Sequence, residues 1–326
     1  MSLANCKDRD EEVRVKGFEA LAILVRGNPE RPDEMLAAIL EGCRDTSFSV
    51  RLQAFQALSE AAKAFPQRAG DIVDTVLAGC RDEEGAVRFA ALFVLTFVAG
   101  GAPHRVGELV EAALRCCEDE ERDVRSIAVF ALGQITRRVP QRAPAMLEAA
   151  LKGCKEDEEN VRQNAFYALA EIVTAAPHRA EEALDAVLVG CEDSAETVRK
   201  NAVGALAAVV EGAPHRAEEV LAKIIEGCGK EEVDCRYNAF AALSAVAEEV
   251  PEKIGNIVAT VLKGCEDDAA KVRRNAFGAL SEIAKNDARK HKMLTSTVLK
   301  GCDDENEEVR DMAQQIRRIL ENAGVS

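Results

Sequence analysis

The sequence predicts an all-α solenoid of tandem two-helix repeats, because three residue types recur in it at one fixed interval. An arginine, usually preceded by valine, returns every 37 residues, and so do a cysteine and a proline, without one insertion. The arginines are Arg14, Arg51, Arg88, Arg125, Arg162, Arg199, Arg236, Arg273 and Arg310. The cysteines are Cys6, Cys43, Cys80, Cys117, Cys154, Cys191, Cys228, Cys265 and Cys302. The prolines are Pro29, Pro66, Pro103, Pro140, Pro177, Pro214 and Pro251.

The composition favours helices and excludes several classes of protein. The 326 residues are 48% hydrophobic and 30% charged, without Trp and rich in Ala, Leu, Glu and Arg. Apolar runs are shorter than the roughly 20 residues that span a bilayer, and residues 8–12 are too charged for a signal peptide. We therefore expect a cytoplasmic protein without a membrane segment. A net charge of −15 and a pI near 4.9 argue against nucleic acid as the partner.

The first helix of each repeat, helix A, is amphipathic and reaches the periodic cysteine. In one unit its apolar positions are Ile257, Val258, Val261 and Leu262, which form one helical stripe. The proline is predicted just before or inside the first turn. A glycine usually precedes the cysteine and acidic residues follow it, so the chain is expected to stop and reverse there.

The second helix, helix B, begins near the Val-Arg pair. Its predicted core positions in one unit are Val272, Ala276, Phe277, Ala279, Leu280 and Ile283. An alanine recurs three residues after the arginine, which lets neighbouring helices approach closely. Neither helix buries its stripe alone, so the units must stack.

The period predicts a single domain over residues 1–326, interpreted as an excerpt of a longer array. It starts with a half repeat at 1–28 that lacks its A helix. The eight full repeats are 29–65, 66–102, 103–139, 140–176, 177–213, 214–250, 251–287 and 288–326. The last B helix carries Gln314 and Arg317 at usually apolar positions, as a terminal cap requires.

An aspartate in the turn, six residues before the arginine, completes a motif that covers nearly the whole chain. The pairs are Asp8/Arg14, Asp45/Arg51, Asp82/Arg88, Asp119/Arg125, Asp193/Arg199, Asp267/Arg273 and Asp304/Arg310. On paired helices this pattern resembles the HEAT-repeat family, of the importin-β and phosphatase-scaffold type. The resemblance implies a right-handed superhelix with B helices on its concave side, and a role in scaffolding or cargo binding. Glu156 and Lys230 replace the aspartate in two units, where we expect interruptions.

The periodic side chains are interpreted as architecture. Each cysteine fills a small apolar slot as a free thiol, and the Asp and Arg link successive turns, with the Asp capping helix B. Cys116 and Cys235 lie off the register. No metal-ligand cluster, phosphate loop or nucleophile motif is present in the sequence. We therefore predict no enzyme, no metal and no cofactor. The acidic turns serve solubility and helix capping, or they attract a basic partner.

Departures between repeats on the solvent face of helix B indicate where a partner binds. On a helical wheel, positions 1, 2, 5, 8, 9 and 12 after the arginine lie opposite the core stripe. Repeats there carry the apolar residues Phe89, Phe93, Phe97, Ile127, Phe130 and Tyr167. Contiguous exposed aromatic side chains are typical of binding sites. The alternative is that curvature or a further segment covers them.

Four consecutive repeats place an asparagine two residues after the arginine. These are Asn164, Asn201, Asn238 and Asn275. Asparagine is a poor helix former, so the row has a use: it binds the main chain of an extended peptide, or it forms hydrogen bonds between repeats. Both interpretations remain open from sequence.

These features predict a non-enzymatic scaffold or adaptor that grips a partner protein or peptide across the B helices. A fragment of a karyopherin-type nuclear transport receptor is the alternative, with a partner rich in Lys and Arg. A nucleic-acid-binding HEAT protein is less favoured, since Lys200 and Arg274 are the support for a basic stripe. A pigment lyase or chaperone subunit would require a deep pocket.

Overall fold

The computed structural model describes residues 2–27, 31–249, 254–287 and 294–322, and the regular elements in those ranges are all helical. The all-α fold class is therefore confirmed. The chain divides into two compact units, Met1–Ala175 and Ala176–Ser326. Each unit is a stack of two-helix repeats, while the single domain over 1–326 stays a prediction. Pro29 and Pro251 lie outside the described residues.

The first unit contains a half repeat and four full repeats. Its A helices are α3 (Pro32–Gly42), α5 (Ala69–Gly79), α7 (Val106–Cys116) and α9 (Ala143–Gly153). Its B helices are α2 (Glu11–Arg26), α4 (Phe48–Ala64), α6 (Gly85–Gly101), α8 (Arg122–Thr136) and α10 (Glu159–Ala175). The half repeat was predicted to lack helix A, and one turn of it is present as α1 (Ser2–Asn5).

The second unit contains four full repeats. Its A helices are α11 (Ala180–Gly190), α13 (Ala217–Gly227), α15 (Ile254–Gly264) and α17 (Leu294–Gly301). Its B helices are α12 (Glu196–Gly212), α14 (Val233–Glu249), α16 (Ala270–Asp287) and α18 (Glu307–Asn322). No helix in the described ranges is both long enough and apolar enough to cross a membrane.

The predicted core faces are buried in both kinds of helix. The six predicted core residues of α16 are all buried, and so are Ile257, Val258 and Val261 of α15, while Leu262 is half-buried. The alanine three residues after each arginine is fully buried from Ala54 to Ala313. Within each unit, successive B helices pack against one another more extensively than successive A helices do. This difference agrees with the predicted concave B side.

The repeat proline begins a separate turn instead of the first turn of helix A. In the part of the chain that the structure describes, five short 3-10 turns precede A helices: Pro66–Arg68, Pro103–Arg105, Pro140–Arg142, Pro177–Arg179 and Pro214–Arg216. The proline is their first residue, where its missing N–H costs no hydrogen bond.

Helix A ends at the glycine before the cysteine, and a turn to helix B follows, as predicted. The glycine also allows close packing. A Cβ added at Gly79 would lie 2.3 Å from Cζ of Phe55, and one at Gly301 would lie 2.3 Å from Cζ of Phe277. The cysteine that follows caps helix A with right-handed backbone, as at Cys80. Glycine is therefore required because a B-helix phenyl ring fills the space beside it.

Within each unit, repeat arginines join their own turn to the next repeat. Arg88 Nη1 donates to the carbonyl oxygens of Asp82 and Glu83, at 2.9 and 3.0 Å. Its Nε and Nη2 donate to both carboxylate oxygens of Asp119 in the following repeat, each at 2.7 Å. Bidentate pairs also join Arg14 to Asp45, Arg51 to Asp82, Arg236 to Asp267 and Arg273 to Asp304. The predicted link between turns is confirmed as an Arg–Asp ladder.

The ladder aspartate does not cap helix B directly, which corrects the prediction. Asp45 Oδ1 accepts the backbone N–H of Ser47 at 2.9 Å, and Ser47 is the residue that caps α4. The carboxylate lies two positions too early in the chain to reach the first helical amides. It therefore closes the turn before the helix, while its remaining lone pairs accept the arginine of the previous repeat.

The two predicted interruptions alter the ladder without removing it. Arg125 Nη2 donates to Glu156 at 3.1 Å, but its buried Nε has no hydrogen-bond partner among the described residues. In the second exception Arg199 pairs with Glu232, two residues after the Lys230 that replaces the aspartate. Glu156 thus accepts one side-chain hydrogen bond from Arg125, whereas Asp119 accepts two from Arg88.

Shortening Glu156 should restore the second hydrogen bond. We expect Glu156→Asp to raise the free energy of unfolding by about 1 kcal/mol, because it satisfies the buried Nε of Arg125. The reverse change, Asp119→Glu, is the matched variant and should lower it by about the same amount. Urea denaturation followed by circular dichroism measures both. A stabilising Asp119→Glu would contradict the bidentate geometry as the source of stability.

The ladder should also weaken in acid. The hydrogen bond from Arg273 holds the pKa of Asp304 below its ordinary value. Because the pKa of Asp304 is lower in the folded than in the unfolded chain, its carboxylate stabilises the fold at any pH above the unfolded-state pKa of about 3.9. This stabilisation is lost as the pH falls through the folded-state pKa. The loss of unfolding free energy caused by Asp304→Asn should therefore be full above about pH 5 and shrink below about pH 4. The exposed neighbour Asp303→Asn is the control, and an effect of Asp304→Asn that is constant from pH 7 to pH 3 would contradict the assignment.

Candidate functional site

Aromatic side chains are exposed on the B-helix solvent face of the first unit. Phe89 and Phe93 on α6 are 40% and 36% exposed. Phe97, one turn further along, is half-buried. The predicted line of exposed phenylalanines therefore consists of two exposed rings and one partly covered ring.

Ile127 was predicted on the solvent face, and this prediction is wrong. Its side chain is only 8% exposed. The residue lies two positions after the repeat arginine, and Asn164, at the same position of the next repeat, reaches back to α8. This position thus faces the seam between neighbouring B helices, where an apolar side chain is covered by the adjacent repeat.

Phe130 and Tyr167 stack on one another and are half-buried. Their ring centroids are 5.2 Å apart with planes inclined by 28°. The Tyr167 hydroxyl accepts a hydrogen bond from Gln134 Nε2 at 2.5 Å, and burial raises the pKa of Tyr167. Contacts between α8 and α10 therefore cover much of the surface of these two rings.

A lysine lies over two phenylalanine rings of α6. Phe93 and Phe97 meet edge to face with centroids 5.2 Å apart, and Lys63 Nζ lies 5.5 and 4.8 Å from the two ring centroids. Glu60 holds the ammonium at 3.0 Å. A cation over an aromatic ring contributes about 0.5–1 kcal/mol at exposed sites, so Lys63 fixes these two rings.

Phe89 lines two grooves at the start of the B helices. One groove, of about 640 Å³, is lined by the apolar Leu52, Ala86, Phe89 and Val124 and by the acidic Glu84, Glu121 and Asp123. The second, of about 280 Å³, is lined by Phe89, Ile127 and polar residues of α8 and α10. The lining of the larger groove therefore combines apolar side chains with carboxylates.

Two members of this surface were not predicted. Phe48 at the start of α4 is 50% exposed, and Leu52, one turn later, lines the larger groove. Leu52 directly follows Arg51, a position that the helical wheel already assigned to the solvent face. Together Phe48, Leu52, Phe89 and Phe93 form what is called the apolar patch below.

The asparagine row serves contacts between repeats. Asn238 Nδ2 donates to the backbone oxygen of Lys200 at 2.7 Å, and Asn275 Nδ2 donates to that of Tyr237 at 2.9 Å. Asn164 Nδ2 likewise donates to the oxygen of Ser126 at 3.2 Å and to its hydroxyl at 2.9 Å. Asn201 also has an interaction partner. These bonds favour the inter-repeat interpretation over the peptide-binding one for Asn164, Asn238 and Asn275.

The cysteines are free thiols placed in or near the core. Six of the nine periodic cysteines are buried, Cys117, Cys154 and Cys302 are half-buried, and the off-register Cys116 and Cys235 are buried. Burial raises the pKa of Cys154 and Cys191 to about 12, which suppresses the reactive thiolate. Among the described residues no group of His, Cys, Asp and Glu could hold a metal ion.

Sequence comparison places this helical array in a known family. A model of the adaptin N-terminal region matches residues 2–324. The chain belongs to this family. A comparison with curated proteins finds no matching sequence.

Solved structures similar to the adaptin-family chain are also helical solenoids. An engineered protein is 19% identical with a TM-score of 0.63, covering 98% of this chain and 88% of its own. Kap95 from a Kap95:Nup1 complex is 17% identical with a TM-score of 0.70, and importin β is 15% identical with a TM-score of 0.61. The chain covers 46% of each of these two, about half their length. At such identities the likeness shows the fold, and it confirms the predicted HEAT-type solenoid.

The inter-repeat role of the asparagines predicts a stability effect. Asn238→Asp keeps the size of the side chain but replaces the donor by an acceptor facing the Lys200 carbonyl. We expect a loss of about 1–2 kcal/mol in the free energy of unfolding. The same chemical change at the exposed Gln56 (Gln56→Glu) should cost less than about 0.5 kcal/mol. If both variants are equally stable in urea melts, the inter-repeat role of Asn238 is contradicted and the peptide-binding interpretation is favoured.

Proposed function

We propose that this adaptin-family chain is a non-enzymatic scaffold that grips a segment of a partner protein on the apolar patch. The observation that carries the proposal is Phe89, a 40% exposed ring that lines two grooves. The equivalent positions in the next repeats hold Ser126, Gln163 and Lys200, so repeat architecture does not require an aromatic residue there.

The energetics of the apolar patch support binding. A phenylalanine buries 150–250 Å² when covered fully, and apolar area removed from water contributes about 25 cal/mol per Å². Two or three such rings on helices supply the central anchors that dominate most interfaces. Their rigid helical support keeps the entropic cost of binding low.

The acidic residues of the larger groove indicate the chemistry of the partner. Glu84, Glu121 and Asp123 line it together with the apolar residues, and the chain carries a net charge of −15. A segment with aromatic or aliphatic anchors flanked by Lys or Arg would complement both features. We infer that the acidic side chains here attract a basic partner in addition to their role at helix starts.

The proposal assigns no reaction to the chain and places it in the cytoplasm. The repeat histidines His104, His178 and His215 are exposed, each on the 3-10 turn of its own repeat. All eleven cysteines are free thiols, as expected in a reducing compartment.

A karyopherin-type transport receptor is the second candidate. The fold likeness to Kap95 and importin β and the acidic residues of the groove favour it. Such a receptor requires a basic cargo and binding that weakens steeply with salt. A scaffold anchored mainly by Phe89 and Phe93 would instead keep most of its affinity at physiological ionic strength and lose only the share that the acidic residues of the groove contribute.

The apolar patch predicts a defined loss of affinity. Twelve-residue peptides selected from a random display library on the immobilised chain should carry apolar anchors next to Lys or Arg. We expect Phe89→Ala and Phe93→Ala each to raise the dissociation constant about 10-fold or more, as truncation of an interface anchor does. Isothermal titration calorimetry measures the constant.

Val189→Ala is the matched control, because Val189 is a 73% exposed apolar residue on helix A. It should leave the dissociation constant within about 2-fold, since scattered surface residues contribute little. Urea melts of all three variants show whether the fold is intact. If the phenylalanine variants stay folded and bind as well as the parent chain, the site assignment fails.

A further inference from the structure

The second unit has a groove of different chemistry on its B helices. Its volume is about 420 Å³, and it lies among the N-terminal parts of α12, α14, α16 and α18. The charged and aromatic residues that line it are Lys200, Asp234, Tyr237, Lys271, Arg274 and Glu308. The chemistry of these side chains is unlike that of the apolar patch.

Three cations share this groove with two carboxylates. Lys200 and Lys271 both pair with Asp234, the first at 2.9 Å. Arg274 pairs with Glu308 at 2.8 Å, and its second terminal nitrogen lies 3.3 Å from the Tyr237 hydroxyl. One positive charge therefore remains in excess, in a chain whose net charge is −15.

The repeat architecture does not require these cations. Lys200, Tyr237 and Arg274 directly follow the repeat arginine of their units. In the first unit that same position holds Leu52, Phe89 and Ser126. Bidentate Arg–Asp pairs form beside Phe89 in the first unit and beside Tyr237 and Arg274 in the second, so the ladder does not depend on the residue at this position.

The side chains are accessible enough to exchange partners. The side chains of Lys200, Lys271 and Arg274 are 43%, 50% and 37% exposed. Ion pairs at such exposure contribute only about 0.2–1 kcal/mol each, so an incoming anion can replace Asp234 or Glu308. Lys271 Nζ also lies 5.8 Å from the centroid of the Tyr237 ring, which holds it near the groove.

We propose that this groove binds an acidic side chain of an extended partner segment, through Lys200, Lys271 and Arg274. The single excess charge matches one carboxylate, whereas a phosphate carries about −1.5 to −2 charges at neutral pH and would leave the groove negative. Ala270, the first residue of α16, lines the groove as well, and the amides of a helix start favour an anion. The proposal is independent of the apolar patch, because it concerns other residues and a partner of opposite charge.

The test uses a rhodamine-labelled peptide of six Gly-Glu units and the full chain, followed by fluorescence anisotropy. The ionic strength is kept near 0.15 M, where a Debye length of about 8 Å screens the repulsion between the acidic peptide and the rest of the acidic chain. We expect the double variant Lys200→Ala/Lys271→Ala to raise the dissociation constant about 5-fold or more, and Arg274→Gln to raise it about 2-fold or more. A Gly-Gln peptide of equal length should not bind.

The control removes the same charge elsewhere in the second unit. Lys285 and Lys300 have exposed side chains that pair with Glu282 and Glu266. Lys285→Ala/Lys300→Ala should change the dissociation constant less than about 2-fold. An equal loss in both double variants would show that only the net charge matters and would overturn the proposal.

A charge reversal at Lys271 tests the site, and two phosphate-bearing ligands test the choice of a carboxylate. Lys271→Glu should lose the Gly-Glu peptide while circular dichroism shows an intact fold, and a folded variant with unchanged binding contradicts the site. A twelve-nucleotide single strand of thymidine, or a phosphoserine peptide, that binds more tightly than the Gly-Glu peptide and depends on the same lysines would contradict the choice of a carboxylate ligand. The Phe89 and Phe93 variants should bind the Gly-Glu peptide normally, which separates failure here from failure of the proposed scaffold function.

Discussion

The guanidinium of each repeat arginine is the connection on which the stack depends. In Arg88 it donates to two carbonyl oxygens of its own turn and to both carboxylate oxygens of Asp119 in the next repeat. One rigid, planar group thus shapes the turn and sets the offset between repeats. An inserted residue between turn and helix would separate these acceptors, which accounts for a 37-residue period without interruption.

The same connection aligns the B helices, so that their solvent-facing residues form columns. In the column directly after the arginine, Leu52 and Phe89 occupy the first unit and Lys200 and Arg274 the second. The fold does not depend on which residue follows the arginine. The ladder, the buried alanine and the glycine contact involve other faces of the helices. The repeat therefore carries apolar residues at this position in the first unit and basic residues in the second, and the two proposed binding sites depend on this difference.

The period in the sequence was sufficient to predict the helices, the repeat and the ladder, because these depend on contacts that recur at one spacing. The seam between B helices was not predictable, since its position depends on how neighbouring helices cross and not on one helix alone. Ile127 and Asn164 were assigned to the solvent face for this reason, and both turn toward the adjacent repeat. Phe48 lies three residues before the repeat arginine, ahead of the solvent-face positions that the helical wheel defines after it. The placement of Lys63 over Phe93 and Phe97 depends on a contact between repeats.

Hydrogen–deuterium exchange on the full chain, with and without a bound partner protein, tests most directly whether binding occurs on the solvent face of the B helices. The apolar patch predicts that amides near Phe48, Leu52, Phe89 and Phe93 in α4 and α6 exchange more slowly in the complex. The A helices α5 and α7 should exchange at unchanged rates. Slower exchange confined to the A helices or to the turns, with α4 and α6 unaffected, would contradict the assignment of the binding surface.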